Sequence, residues 1–268
     1  MSFLLHDSMG EFEPADLTVE QRPKAGKKRT SARQRYRIIE GKLGIPDIGP
    51  IAERGRLFEL LHRSVKQYGA TLVSGRAGTG KTTLASQYAD RQKNACWYSI
   101  EPADSDWREF SSCFSACLFP KGRRTLPKSI GPSDADISEY LTRCFARFAK
   151  RRFTEPRLIV LDNVQHLFDA EWFGSFFKQL ITSLNNDARL LLLCRSKPAA
   201  PLWRLRSKQM LNVIDESVLN LTGQEAVELG EARGASINEC EDALDASYGR
   251  IGAFLKEIES RRTQLSRK

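Results

Sequence analysis

The 268-residue sequence contains no run of about 18 apolar residues, the length a membrane-crossing helix requires. Its start, Met1-Ser2-Phe3-Leu4-Leu5-His6-Asp7, lacks a basic region followed by an apolar stretch, so a secretory signal is not expected. Six cysteines are present (Cys96, Cys113, Cys117, Cys144, Cys194 and Cys240), but no Cys-x-x-Cys pair and no disulfide framework. Cys113 and Cys117 fall on one predicted helix face, yet two thiols without partner ligands do not make a metal site. A reducing, cytoplasmic setting with no membrane partner is expected. What is present is 41% hydrophobic residues, enough for a real core.

The formal net charge of +9 is unevenly spread. Residues 1–20 carry only acidic charges (Asp7, Glu11, Glu13, Asp16, Glu20), and residues 21–37 only basic ones (Arg22, Lys24, Lys27, Lys28, Arg29, Arg33, Arg35, Arg37). Charge blocks with so little apolar content predict a disordered tail and linker over 1–48. The basic half reads either as an arm for nucleic-acid phosphates or as a solvated tail whose halves attract one another. Gly41, Gly44, Pro46, Gly49 and Pro50 punctuate the approach to the folded part.

From Ile51 to Tyr68, Leu57, Leu60, Leu61, Val65 and Tyr68 recur at helical spacing. Short apolar runs then follow at α/β intervals: 70–73, 95–100, 158–161, 190–194 and 210–214. Continuous rather than alternating runs fit parallel strands covered on both faces. The predicted fold is therefore α/β, with three layers around a mostly parallel five-stranded sheet spanning 49–216. Residues 121–133 are expected to form a loop. After Asp215 the pattern becomes purely helical, predicting a small lid over 217–268 that opens with a capping-box spacing at Thr222-Gly223-Gln224-Glu225. In Trp172–Leu184, the stripe Phe173, Phe177, Leu180 and Leu184 reads as core.

Between the first strand and the next helix stands Gly75-Arg76-Ala77-Gly78-Thr79-Gly80-Lys81-Thr82, a complete Walker A pattern. Its glycines let backbone N–H groups converge on phosphate oxygens, and the helix that follows points its positive end at the same anion. Residues 75–83, ending in Thr82 and Thr83, are the expected nucleotide cradle, with Lys81 reaching the β- and γ-phosphates and Thr82 offering a hydroxyl to Mg²⁺. Leu158-Ile159-Val160-Leu161-Asp162 is a Walker B pattern, which makes Asp162 the second expected Mg²⁺ partner. The following residue, where many ATPases place a water-orienting acid, is Asn163, which cannot act as a base near neutral pH. Hydrolysis is thus expected to be slow or absent, unless Glu101, Asp104 or Asp106 substitutes. Arg195, closing the fourth strand, reads either as a γ-phosphate sensor or as a surface cation. His166 reads as packing. No Asn-Lys-x-Asp run is present to read guanine, which favours ATP and ADP.

These residues, in this order, resemble the signal-transduction ATPases with numerous domains (STAND), and in particular the nucleotide-binding module of maltose-regulon-activator-type regulators. The resemblance runs from about Ile51 to about Leu255. It rests on Arg54-Gly55-Arg56-Leu57, the loop from Ser74 to Leu84, Trp97-Tyr98-Ser99-Ile100 with Asp104-Ser105-Asp106 and Phe110, Leu158–Leu167, Cys194-Arg195-Ser196-Lys197-Pro198, and Leu221-Thr222-Gly223-Gln224-Glu225-Ala226. It implies a sensor strand lying between the P-loop and Walker B strands. It also implies an ADP-closed, ATP-open switch in which Lys81, Asp162 and Arg195 handle the phosphates. Three features depart from the family pattern. Asn163 stands at the second acid. Gly249-Arg250-Ile251 stands where the family has a Gly-Trp-Pro-like run. The sequence ends at Lys268, without the sensor repeats or output domain of the family's regulators. A separate protein partner supplying sensing or output is therefore expected, with nucleotide-dependent oligomerisation as a further option. The alternatives are a nucleic-acid-associated ATPase gripping through Arg22–Arg37, extended by Arg123-Arg124 and Lys150-Arg151-Arg152, and a kinase with a lid around Arg123-Arg124. No Leu-Ser-Gly-Gly-Gln-like run supports an ABC-type ATPase.

Overall fold

The computed structural model describes residues 41–49, 51–120, 131–150, 155–184 and 187–265. The acidic and basic blocks, Arg123-Arg124 and Arg151-Arg152 lie outside the described residues, as does most of the expected 121–133 loop.

Helix α1 (Gly55–Gln67) leads into β1 (Ala70–Ser74), the P-loop, and α2 (Lys81–Asp90). Then come β2 (Ala95–Ser99), α3 (Trp107–Leu118), α4 (Asp134–Ala149), β3 (Arg157–Asp162), α5 (Phe173–Ser183), β4 (Ala188–Cys194), α6 (Ala200–Ser207) and β5 (Leu211–Ile214). The short α7 (Glu216–Leu219) connects to α8 (Gly223–Glu231), α9 (Ile237–Ser247) and α10 (Ile251–Leu265).

The five strands form one sheet in the order β2-β3-β4-β1-β5, every pairing parallel. The β4 strand lies between the P-loop strand and the Walker B strand, as the resemblance implied. Alternating residues of these buried strands feed two cores. Leu72, Tyr98, Ile159, Leu161 and Leu192 pack under α3–α6, where Trp107, Phe110, Trp172, Phe176 and Phe177 interlock. Val73, Trp97, Val160, Leu191 and Leu193 face the opposite way, against Leu57 and Leu61 of α1 and Leu84 and Tyr88 of α2. This is the expected three-layer arrangement, and the stripe on α5 is core.

Helices α8–α10 gather around their own cluster, including Leu229, Cys240, Phe254 and Ile258. The capping box closes as its spacing predicted: Thr222 accepts from the Glu225 N–H, and Glu225 accepts from the Thr222 N–H. Residues 41–49, read in the sequence as linker, are held down. Lys42 is buried against Asp104 (2.8 Å), and the Ser86 hydroxyl donates to the Pro46 carbonyl.

Candidate functional site

Parallel pairing puts the chemistry at one edge. Ser74 lies opposite Cys194 and Ser99 opposite Asp162, so the P-loop, Asp162 and Arg195 all emerge at the carboxyl ends of adjoining strands. Gly78 and Gly80 have φ of 80° and 85°, a left-handed conformation that glycine reaches without steric cost, and Gly80 caps α2 from it. The loop is braced from behind. The Gly75 N–H donates to the Cys194 carbonyl, the Thr79 hydroxyl to the Arg76 carbonyl, and Arg76 pairs with Glu216 (2.7 Å). The Lys81 ammonium donates to the Gly75 and Arg76 carbonyls and to the Thr79 hydroxyl. It is thereby poised at the hollow of the loop, where an anion's oxygens would replace those partners.

A cleft of about 310 Å³ opens in front of the loop. Ala77, Gly78, Gly80, Lys81, Thr82, Thr83, Asp162 and Arg195 line it, whereas Gly75, Arg76 and Thr79 do not. Ile51, Ala52, Leu57, Leu84, Ile251 and Leu255 supply its apolar lining.

The Thr82 hydroxyl donates to Asp162 at 3.1 Å, so a hydroxyl and a carboxylate meet beside the phosphate loop. Such an all-oxygen pair fits Mg²⁺, which takes few protein ligands and completes its shell with phosphate oxygens and water. No cluster of three or more His, Cys, Asp or Glu side chains exists among the described residues, so no all-protein metal cage competes with it. Burial raises the Asp162 carboxyl above its ordinary range against the Thr82 hydroxyl, the Asn163 N–H, Arg195 and Lys81. Burial, and after it the Arg195 charge, lowers the Lys81 ammonium, while Asp162 and Glu216 oppose that. Lys81, Asp162 and Arg195 thus already act on one another electrostatically.

Asn163 ends the Walker B strand in the left-handed region (φ 62°), its N–H held by Asp162. The sequence did not point to its neighbour Gln165. That side chain accepts from the Arg195 N–H at 3.1 Å and donates to the Asn163 side-chain Oδ1 at 3.4 Å, linking the Walker B turn to the end of β4. The sequence also missed Gly252 at the start of α10, whose N–H donates to the Gly78 carbonyl at 2.8 Å. A Cβ there would sit 3.0 Å from that oxygen and 3.1 Å from the Gly78 Cα. The candidate substitute acids are engaged elsewhere. Glu101 and Asp104 hold Lys42, Asp104 also accepts from the Glu101 N–H, and Asp106 caps α3.

A P-loop between strand and helix, a Walker B carboxylate one strand beyond the sensor strand, and a helical lid over the cleft define a P-loop NTPase of three-layer α/β/α build. The AAA domain family model matches residues 62–196, half of the chain, and the chain belongs to that family. Among curated proteins it is similar to the HTH-type transcriptional regulator MalT of Serratia proteamaculans, 28% identical over 194 residues, covering 71% of this chain and 21% of that protein. MalT of Yersinia pestis (strain Pestoides F) is 26% identical over 204 residues, covering 74% and 22%. The chain thus spans about a fifth of the length of these relatives. Among solved structures it resembles a STAND protein with a tetratricopeptide repeat sensor from Pyrococcus horikoshii, with a TM-score of 0.53 and 17% identity, covering 77% of this chain and 29% of that one. It also resembles a Walker-type ATPase of Pyrococcus abyssi, with a TM-score of 0.52 and 14% identity, covering 82% and 72%. At these identities the structures establish the fold. The sequence relatives add a likeness to MalT over most of this chain. No helix among the described residues is long and apolar enough to cross a membrane.

Proposed function

We propose that the chain is an ATP/ADP-binding regulatory switch with slow or absent hydrolysis, working through a separate protein partner in transcriptional or signalling control. One observation carries this reading: among the described residues lining the cleft, Asp162 is the sole carboxylate. An acid that shares a magnesium ion with Thr82 is not free to take a proton from water, and Asn163 beside it has no basic lone pair near neutral pH. In this reading Lys81 and the N–H groups of residues 75–83 hold the nucleotide phosphates. Thr82 and Asp162 would hold Mg²⁺, which supplies charge neutralisation there. Contacts to the β-phosphate serve ADP and ATP alike, so discrimination falls to Arg195 near the γ-phosphate. The proposed division is a P-loop domain over 49–216 and a moving lid over 217–268.

The test is to purify the chain, denature it and identify the released nucleotide, with Lys81→Ala in parallel. ADP from the wild type and none from Lys81→Ala is expected, and Arg195→Ala should bring the ratio of ATP to ADP affinity to within about threefold of unity. An empty wild-type site, or discrimination that survives Arg195→Ala, would overturn the switch. Hydrolysis has its own test. Asn163→Asp restores a carboxylate at a left-handed position that Asp tolerates and should raise turnover by at least about tenfold. Wild-type turnover already at about 1 s⁻¹ or more would place the chain among ordinary ATPases instead.

A further inference from the structure

Between Asp187 and Asp215 the sequence has six basic residues and no acid: Arg189, Arg195, Lys197, Arg204, Arg206 and Lys208. Five of these, all but Arg189, are exposed. Helix α6 carries two of them, Arg204 and Arg206, and Lys208 is its C-cap. Its apolar side, Leu202 and Leu205, is buried in the core, and Pro201 packs tightly on Gly174 of α5, 3.3 Å from where a Cβ would stand. The exposed residues fall on two flanks, Trp203 with Arg206 on one and Arg204 with Lys208, at the cap, on the other. Trp203 is 39% exposed, whereas Trp97, Trp107 and Trp172 are buried. Its ring carries the Arg206 guanidinium 4.7 Å from the centroid.

Elsewhere on the described surface some cations are matched, Arg56, Arg76, Arg91, Arg143 and Arg261 each pairing with a carboxylate, while exposed Lys66, Lys178 and Lys256 are not; what distinguishes this stretch is its run of cations without an acid. Among the described residues Arg195, Lys197, Arg204, Arg206 and Lys208 have no such partner. The acid that feels this face is Asp215, whose carboxyl is lowered by the Ser217 hydroxyl, against burial, and more weakly by Arg206.

We propose that the α6 face, Trp203 with Arg204, Arg206 and Lys208, binds the phosphate backbone of nucleic acid without reading its sequence. Unneutralised cations on a fixed helix gain from counterion release when they meet a polyanion, and an exposed tryptophan beside an arginine offers an unpaired base a stacking surface. A bilayer is the poorer partner, because the apolar residues of α6 point inward and leave Trp203 alone to insert. Arg195, nine residues before Arg204, lines the nucleotide cleft, and the α6 face does not. Binding there does not depend on the switch reading, because none of the three α6 cations lines that cleft.

The experiment uses the full chain without added nucleotide, with fluorescently labelled 20-nucleotide single strands and 20-base-pair duplexes, titrated at several salt concentrations. Arg204→Gln/Arg206→Gln/Lys208→Gln should weaken binding to both by about tenfold or more at low salt. It should also flatten the slope of log affinity against log salt by about 2 to 3, since each phosphate contact contributes roughly 0.7 to 0.9. Trp203→Ala should cost about tenfold on single strands and much less on duplexes. A wild-type readout stands beside the variants. Trp203 is the exposed tryptophan, so single strands should shield the protein's fluorescence from iodide. The Lys81→Ala chain should bind nucleic acid like the wild type, which separates failure of this site from failure of the nucleotide site. Unchanged affinity and slope in the triple variant, with loss instead in Arg33→Gln/Arg35→Gln/Arg37→Gln, would assign the grip to the N-terminal arm and overturn the proposal. So would the absence of any wild-type binding at 50 mM salt, or acidic vesicles captured while both nucleic acids are ignored.

Discussion

On the nucleotide side, the lid meets the P-loop through a backbone hydrogen bond and the Ile251 side chain, 3.2 Å from where a Gly80 Cβ would stand. The Gly252 N–H reaches the Gly78 carbonyl, and a Cβ at Gly252 would stand only 3.0 Å from that oxygen. At the hinge, the same lid is held by buried charge. Arg54 donates to the Leu219 and Asn220 carbonyls and to Glu225, and Arg56 donates to the Val218 and Asn220 carbonyls and to the same carboxylate. The difference separates two jobs. A backbone hydrogen bond contributes about 1 kcal/mol net and can be exchanged for water when the lid lifts. A buried arginine stripped of its carboxylate has no such exchange, so in the proposed switch the hinge is expected to hold while the clasp opens.

Breaking the hinge should therefore have the largest effect on stability. Glu225→Gln leaves Arg54, 8% exposed, without a counter-charge. A loss of about 3 kcal/mol is expected, at the low end for a broken buried pair because the carbonyl partners remain. Thermal unfolding should fall by about 10 °C. The wild type should show a matching acid dependence. Burial pushes the Glu225 carboxyl upward, but Arg54, Arg56 and the Thr222 N–H outweigh it and hold the group at about 2 instead of 4.5. A depressed carboxyl contributes its full stability above pH 4.5 and loses it as pH falls from 4.5 toward 2. Glu225→Gln should flatten that part of the profile. A variant with unchanged melting temperature and acid slope would show that the hinge owes little to this cluster.

The same contrast governs what the sequence revealed. The strands β1, β3 and β4 and the loop Gly75–Thr83 were legible because each is a local pattern, an apolar run followed by a residue proposed for the nucleotide site. The core stripe on α5 and the Thr222–Glu225 capping box were legible for the same reason. Arg54-Gly55-Arg56 stood out only as part of a family resemblance. Its role needs Glu225, which lies 171 residues from Arg54 along the chain. Gln165 meeting the Arg195 N–H, Lys42 buried on Asp104, and Gly252 against Gly78 are likewise products of the folded arrangement, and no spacing encodes them. Asn163 was read as a missing base. That its left-handed turn also ties it to the end of β4 through Gln165 could be seen only in three dimensions.

An intermediate effect is expected at the clasp. Gly252→Ala places a methyl 3.0 Å from the Gly78 oxygen, against backbone that cannot swing away. In isolation, glycine to alanine in a helix stabilises by about 0.5–1 kcal/mol, so the helix gains while the contact is pushed apart. The melting temperature should stay within about 3 °C of wild type. Release of a fluorescent ADP analogue should accelerate by about tenfold, the equivalent of 1.4 kcal/mol taken from the closed lid. If release were unchanged while the melting temperature fell, the clasp would be a packing contact rather than the separable half of the lid's attachment.

The smallest effect belongs to a third contact, between these two in place and in kind. Glu216, on the short helix leading into the hinge, accepts from the Arg76 N–H (3.1 Å) and from its guanidinium (2.7 Å). The arginine side chain is 69% exposed, so the pair is screened by water and salt. Removing its charge with Glu216→Gln should change stability by less than about 1 kcal/mol. Its consequence should appear in nucleotide affinity, and with the opposite sign to that at the clasp. Glu216 is one of the acids whose charge opposes the lowering of the Lys81 ammonium, which places a negative charge near the seat proposed for the phosphates. Taking that charge away should tighten ADP by a few-fold at low salt, a gain that fades toward 0.5 M as the Debye length shortens. Weaker binding in Glu216→Gln would mean that the Arg76 bond shapes the phosphate loop more than the carboxylate repels what the loop holds. The hinge would then reach the nucleotide through Arg76 as directly as the lid does through Gly252.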